Sequence, residues 1–151
     1  MKTILAILFS IVGATQMCAQ NIKILSAAEQ SWSGGQCCSH GINYEIRIES
    51  TDTVSLLKFD TVWIGNYPYT KGNLQNLSAN YYKSNGKMYY TVFASESWSG
   101  REENVIEKLE IKKIQTPPKY KGKGCIVASS VNSKHYLEVN AFQLLAPIPY
   151  P

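Results

Sequence analysis

Residues 42–49 alternate strictly. Ile42, Tyr44, Ile46 and Ile48 take one parity, and Asn43, Glu45, Arg47 and Glu49 take the other. Successive side chains of a strand leave opposite faces, so a period of two specifies a strand with one buried face. Val54–Gly65 (VSLLKFDTVWIG) is β-branched and aromatic, with Asp60 a candidate break. Asn85-Gly86 is the strongest hairpin signal: both residues can take positive φ in a type I′ turn, and Tyr81, Tyr82, Tyr89 and Tyr90 flank them. In Asn104–Ile114, Leu109 and Ile111 alternate with Lys108, Glu110 and Lys112, and Pro117-Pro118 follows, which favours strand over helix. A second hairpin joins CIVASSV to HYLEVNAF across Asn132-Ser133-Lys134.

With Asn21–Ala28 the total is seven or eight strands, and no stretch carries a convincing helical stripe. The economical arrangement is all-β: an antiparallel, immunoglobulin-like sandwich of two sheets, with a small β-barrel as the alternative. The final APIPYP has prolines at 147, 149 and 151, so residues 147–151 are expected to form an extended tail outside the sheet. Residues 20–146 then make one domain.

The N-terminus joins Lys2 to an apolar run, Ile4 to Val12, followed by small and polar residues. The run is shorter than the roughly 20 residues a membrane span needs. Residues 1–19 therefore read as a signal peptide cut after Ala19, which sends the chain to the bacterial periplasm or cell exterior. Lipid attachment at Cys18 is the alternative, although Thr15, Gln16 and Met17 match a lipobox poorly. Cleavage after Ala14 is a third. Removing residues 1–19 takes away Lys2 and no acid, so the formal charge falls from +4 to +3. That is not the footprint of a nucleic-acid binder. Lys119, Lys121 and Lys123, preceded by Lys112 and Lys113, read as a solvated loop or a weak polyanion contact.

Ser-Trp-Ser-Gly occurs twice, at Ser31–Gly34 and Ser97–Gly100, each time at the end of an apparent strand. Two similar strand-end turns are the simple reading. The functional reading sets Trp32 and Trp98 side by side on neighbouring strands, with Tyr81, Tyr82, Tyr89 and Tyr90 extending an aromatic surface for a protein or glycan partner. Trp32-Ser33-Gly34-Gly35, then Gly41-Ile42-Asn43-Tyr44, a Trp-rich strand and a late Leu-Glu-Val ending resemble small exported bacterial β-sandwich proteins. The resemblance implies the fold and carries no activity, and Cys37-Cys38 does not map onto its pattern.

After cleavage at Ala19 three cysteines remain: Cys37, Cys38 and Cys125. One disulfide from Cys37 or Cys38 to Cys125 would close a loop of roughly 90 residues and leave one thiol over. A bridge between Cys37 and Cys38 themselves would need strained geometry. The sharper reading gathers Cys37 or Cys38, His40, Cys125 and His135 as a zinc or Cu(I) site or a thiol-redox centre, since thiolate with imidazole suits those ions. The spacing lacks the Cys-x-x-Cys grip.

Catalytic constellations are absent by motif: there is no Gly-x-Ser-x-Gly, no His-Glu-x-x-His and no phosphate-cradling loop. Ser-His-Asp chemistry could recruit His40 or His135 with Asp52 or Asp60, and paired carboxylates could come from Glu45, Glu49, Glu102 or Glu103. The spacing supports neither. Asn76-Leu77-Ser78 fits a glycosylation triplet that a bacterial chain leaves unmodified. The sequence thus points to an exported, non-catalytic binding or envelope-accessory module without a cofactor, free or lipid-anchored.

Overall fold

The computed structural model describes residues 22–34, 39–71, 76–98, 117–131 and 133–150. Ten strands run in chain order: β1 (Ile22–Gly34), β2 (Ser39–Ser50), β3 (Lys58–Ile64), β4 (Tyr67–Tyr69), β5 (Asn76–Ser84), β6 (Lys87–Trp98), β7 (Gly124–Ser129), β8 (Lys134–Val139), β9 (Gln143–Leu144) and β10 (Ile148–Pro149). Among the described residues there is no helix. The described residues are all-β, and their ten strands exceed the seven or eight expected through the short strands β4, β9 and β10, although the expected strand at Asn104–Ile114 lies outside them.

One sheet has the order β10-β1-β2-β6-β5, with β9 also on β1; the other has the order β4-β3-β7-β8. Apart from β9 and β10, this is the A-B-E-D against C′-C-F-G order of an immunoglobulin-like sandwich. A bridge from Thr70 to Asn76 ties β4 to β5 along one side, curling the two sheets into a half-barrel.

Alternation dictates which side chains meet between the sheets. From β2 come Tyr44, Ile46 and Ile48, and from β6 come Met88, Tyr90, Val92 and Ala94. The facing sheet supplies Phe59, Val62, Tyr69, Ile126, Ala128, Leu137 and Val139. Asn85 (φ 48°) and Gly86 (φ 70°) form the expected β5–β6 turn. Asp60 does not break β3, which runs through it, but the register with β7 shifts there, between Phe59 and Thr61.

The terminal prolines require a correction. Ile148 and Pro149 are not outside the sheet; they pair in parallel with Trp32 and Ser33. The edge tolerates proline because Leu145 and Tyr150 supply the N–H donors, to Glu29 O at 2.9 Å and Ser33 O at 2.8 Å.

Candidate functional site

The register separates the two tryptophans. Trp32 pairs with Gly41 across β1 and β2, while Trp98 pairs with His40 across β6 and β2. Gly41 and His40 are successive residues, so the two indoles lie on opposite faces of the sheet, with β2 between their strands. The expected side-by-side platform does not form. Trp98 stacks on His40, with ring centroids 5.2 Å apart, and Trp32 meets Tyr150 edge-on at 5.9 Å.

The four tyrosines divide in the same way. Tyr90 is 2 % exposed, packs on Phe59 and accepts the Leu57 N–H at 3.2 Å. It belongs to the core, which corrects its expected place on a binding surface. Tyr81 follows Tyr90's face at the sheet edge. Tyr82 and Tyr89 stand on the outer face, stacked 5.1 Å apart at 14°. Around them Leu25, Arg47, Thr91 and Phe93 line a shallow depression. Leu25 and Phe93 are exposed apolar residues there, and Arg47 Nε donates to Glu45 Oε1 at 2.7 Å beside them.

Glu49 shares that outer face but is not solvated as expected for an alternating polar position. It is buried, with Lys87 Nζ at 3.1 Å and Lys23 Nζ at 3.3 Å from Oε1. The Lys87 hydrogen bond, followed by that from Lys23, outweighs burial and holds its carboxyl below the usual range.

On the inner face, near the Gly34–Ser39 end, Tyr69 Oη donates to Glu96 Oε2 at 2.8 Å. Burial, then the Glu96 contact, pushes the Tyr69 hydroxyl far above its ordinary value. Burial likewise raises Tyr44, which hydrogen-bonds Tyr69 and feels Glu96 and Glu29. Motif reading passed over Glu96. The signal was present: Met88, Tyr90, Val92 and Ala94 set a parity that Glu96 continues, putting an acid on an apolar face.

The proposed metal ligands do not all converge. His40 lies at the start of β2, whereas His135 is the second residue of β8, on the side of Asp52. Asp52 follows the far end of β2, about 30 Å from His40 by strand rise. Cys125 and His135 are further separated by facing opposite sides of their sheet, since Cys125 pairs with Glu138 and His135 with Ala128. One ion therefore cannot take His40 with His135, or Cys125 with His135. Among the described residues no group of three His, Cys, Asp or Glu is placed to hold a metal.

Cys125 is a free, buried thiol, 2 % exposed, clustered with Trp63, Val127 and Tyr120 on the face of its sheet away from the main core. Tyr120 Oη donates to Gly65 O above this cluster. Burial and then Glu138 push the thiol up, which keeps it protonated. Its expected disulfide partners Cys37 and Cys38 lie outside the described residues. So do residues 1–19 with Cys18, Glu102, Glu103, Lys112, Lys113 and the whole of Asn104–Ile114.

His135 Nε2 lies 2.9 Å from Ser133 Oγ and 3.3 Å from Ser130 Oγ. Asp52 Oδ1 instead accepts the N–H groups of Val54 and Ser55, which pull its pKa down and tie it into the connection before β3. The arrangement braces two turns at one end of the sandwich.

Comparison with protein families, with curated proteins and with solved structures finds no match. Among the described residues no helix is long and apolar enough to cross a membrane. The reading of function rests on the chain's own surfaces.

Proposed function

We propose that this chain is an exported, non-catalytic binding module that takes a protein partner on the outer face of the β1-β2-β6-β5 sheet. The carrying observation is exposed Tyr82 stacked on half-buried Tyr89, with Phe93 and Leu25 beside the Arg47–Glu45 ion pair. Aromatic residues flanked by a hydrogen-bonding arginine are the composition of protein-binding hot spots. The two rings stack face to face, which leaves no broad pair of ring faces lying flat for a sugar, so a protein is favoured over a glycan. Export rests on the signal-like residues 1–19.

The test is to immobilise the mature chain and measure capture of a detergent-solubilised bacterial envelope protein fraction, against a Tyr82→Ala/Phe93→Ser variant. A saturable signal that falls at least tenfold in the variant supports the reading. Equal capture by both proteins, or none by either, overturns it. Intact mass of the exported protein checks cleavage after Ala19 and any lipid on Cys18.

A further inference from the structure

Among the described residues each sheet has two edges, and three of the four are blunted. The β1 edge is covered by β9 and β10 with Pro149, β4 is three residues long and contains Pro68, and β8 is six residues long with Lys134 and Glu138. Short strands, proline and charge are the usual protections against edge-to-edge pairing. β5 is neither short nor interrupted by proline. It runs nine residues without proline or bulge, carries the single charge Lys83 and, among the described residues, pairs only with β6 beyond the Thr70–Asn76 bridge.

The turn fixes which backbone groups face outward. Asn85-Gly86 is a two-residue turn closed by Ser84 and Lys87, so that pair exchanges backbone hydrogen bonds and the pairs alternate from there. Ser78, Asn80 and Tyr82 turn their N–H and C=O groups to β6. Ala79, Tyr81 and Lys83 turn theirs to the open edge. Tyr81 and Tyr82, 59 % and 60 % exposed, flank that edge on its two faces.

We propose that β5 pairs antiparallel with β5 of a second copy of this chain, across a two-fold axis at Asn80. The strand is self-complementary in this register. Tyr81 falls opposite Ala79, Tyr82 opposite Ser78 and Lys83 opposite Leu77, so each large side chain meets a smaller or apolar one and the two lysines stay apart. The outward N–H and C=O groups of Ala79 and Tyr81 satisfy one another across the axis. The two sheets become one, with both Tyr82–Tyr89 pairs on the same side. This goes beyond the binding function above and does not depend on it.

Asn80 would face its own copy at a non-hydrogen-bonded position, where Cα atoms approach to about 4.5 Å, within disulfide range. Mild oxidation of mature Asn80→Cys should therefore give a covalent dimer whose digest contains the 80–80 linked peptide. Identifying the peptide distinguishes it from linkages through Cys37, Cys38 or Cys125. Asn85→Cys, at the turn tip away from the axis, should give no 85–85 peptide. Sedimentation of the wild-type chain at tens of micromolar should show a dimer. Ala79→Pro, which removes an outward N–H and leaves the bonds to β6, should weaken it at least tenfold with unchanged circular dichroism. If that variant does not fold, Tyr81→Lys takes its place. A monomeric wild-type chain, a dimer that survives these substitutions, or a dimer without the 80–80 linkage overturns the proposal; the first would mean the edge is free for a different protein.

Discussion

Trp32 lies across from Gly41, and its indole occupies the space a β-carbon at position 41 would need. Such an atom would stand 2.7 Å from two carbons of the ring and 2.2 Å from the Glu96 carbonyl oxygen. The ring could swing away, but the carbonyl belongs to the paired strand β6 and cannot. Gly41→Ala should therefore destabilise the chain by about 1–3 kcal/mol, as overpacking does. The urea midpoint checks it, and Trp32→Ala in the same background should recover only part of the loss.

Tyr69→Phe removes the hydroxyl that donates to Glu96 and leaves a partly buried carboxylate short of a partner. The expected cost is about 1–3 kcal/mol. Tyr69→Phe combined with Glu96→Gln should cost less than the sum of the single changes, because the pair acts as a unit. A double-mutant cycle by chemical denaturation reads the coupling directly.

Much of the fold was legible because it depends on local patterning. Ile42 to Glu49 announced a strand, and Asn85-Gly86 announced its turn. The site was less legible because alternation assigns faces within a strand but does not fix register between strands. The tyrosines at 81, 82, 89 and 90 look equivalent in sequence, yet pairing buries Tyr90 and turns Tyr82 to the outer face. The repeated Ser-Trp-Ser-Gly suggested neighbours, and the register placed its tryptophans on opposite faces. Prolines at 147 and 149 argued against a sheet because they lack an N–H donor; an edge strand needs few such donors, and that allowance is invisible locally.

Cys125 should resist thiol chemistry in the folded protein. Burial keeps it protonated and out of reach. Iodoacetamide at pH 8 should leave the peptide containing Cys125 unmodified in native buffer and label it fully in denaturant. Mass spectrometry of the digest distinguishes it from Cys37 and Cys38. Native labelling at Cys125 would mean that its cover with Tyr120 opens readily.

Acid should loosen the fold through Glu49 and Asp52. Both carboxyls are held below their ordinary values, Glu49 by Lys87 and Lys23 and Asp52 by the N–H groups of Val54 and Ser55. A carboxylate depressed in the folded state contributes fully above its unfolded value of about 4 and loses that contribution as pH falls through the folded value. Glu49→Gln and Asp52→Asn should lower the urea midpoint at pH 7, and their gap from wild type should close as pH falls below that range. A gap that persists at low pH would assign the effect to packing instead of charge.

The parallel pairing of β10 with β1 also bears on how fast the molecule forms. Gln30 Nε2 donates to Ala146 O across 116 residues, whereas the β5–β6 hairpin closes through only two. Hairpins of that kind form in about 1–10 μs, but contacts between distant parts of a chain must first overcome loop-closure entropy, which places sandwiches in the millisecond-to-second range. Newly made chains therefore pass through a period in which β1 is as open along its flank as β5, and the C-terminal strands end that period by docking late.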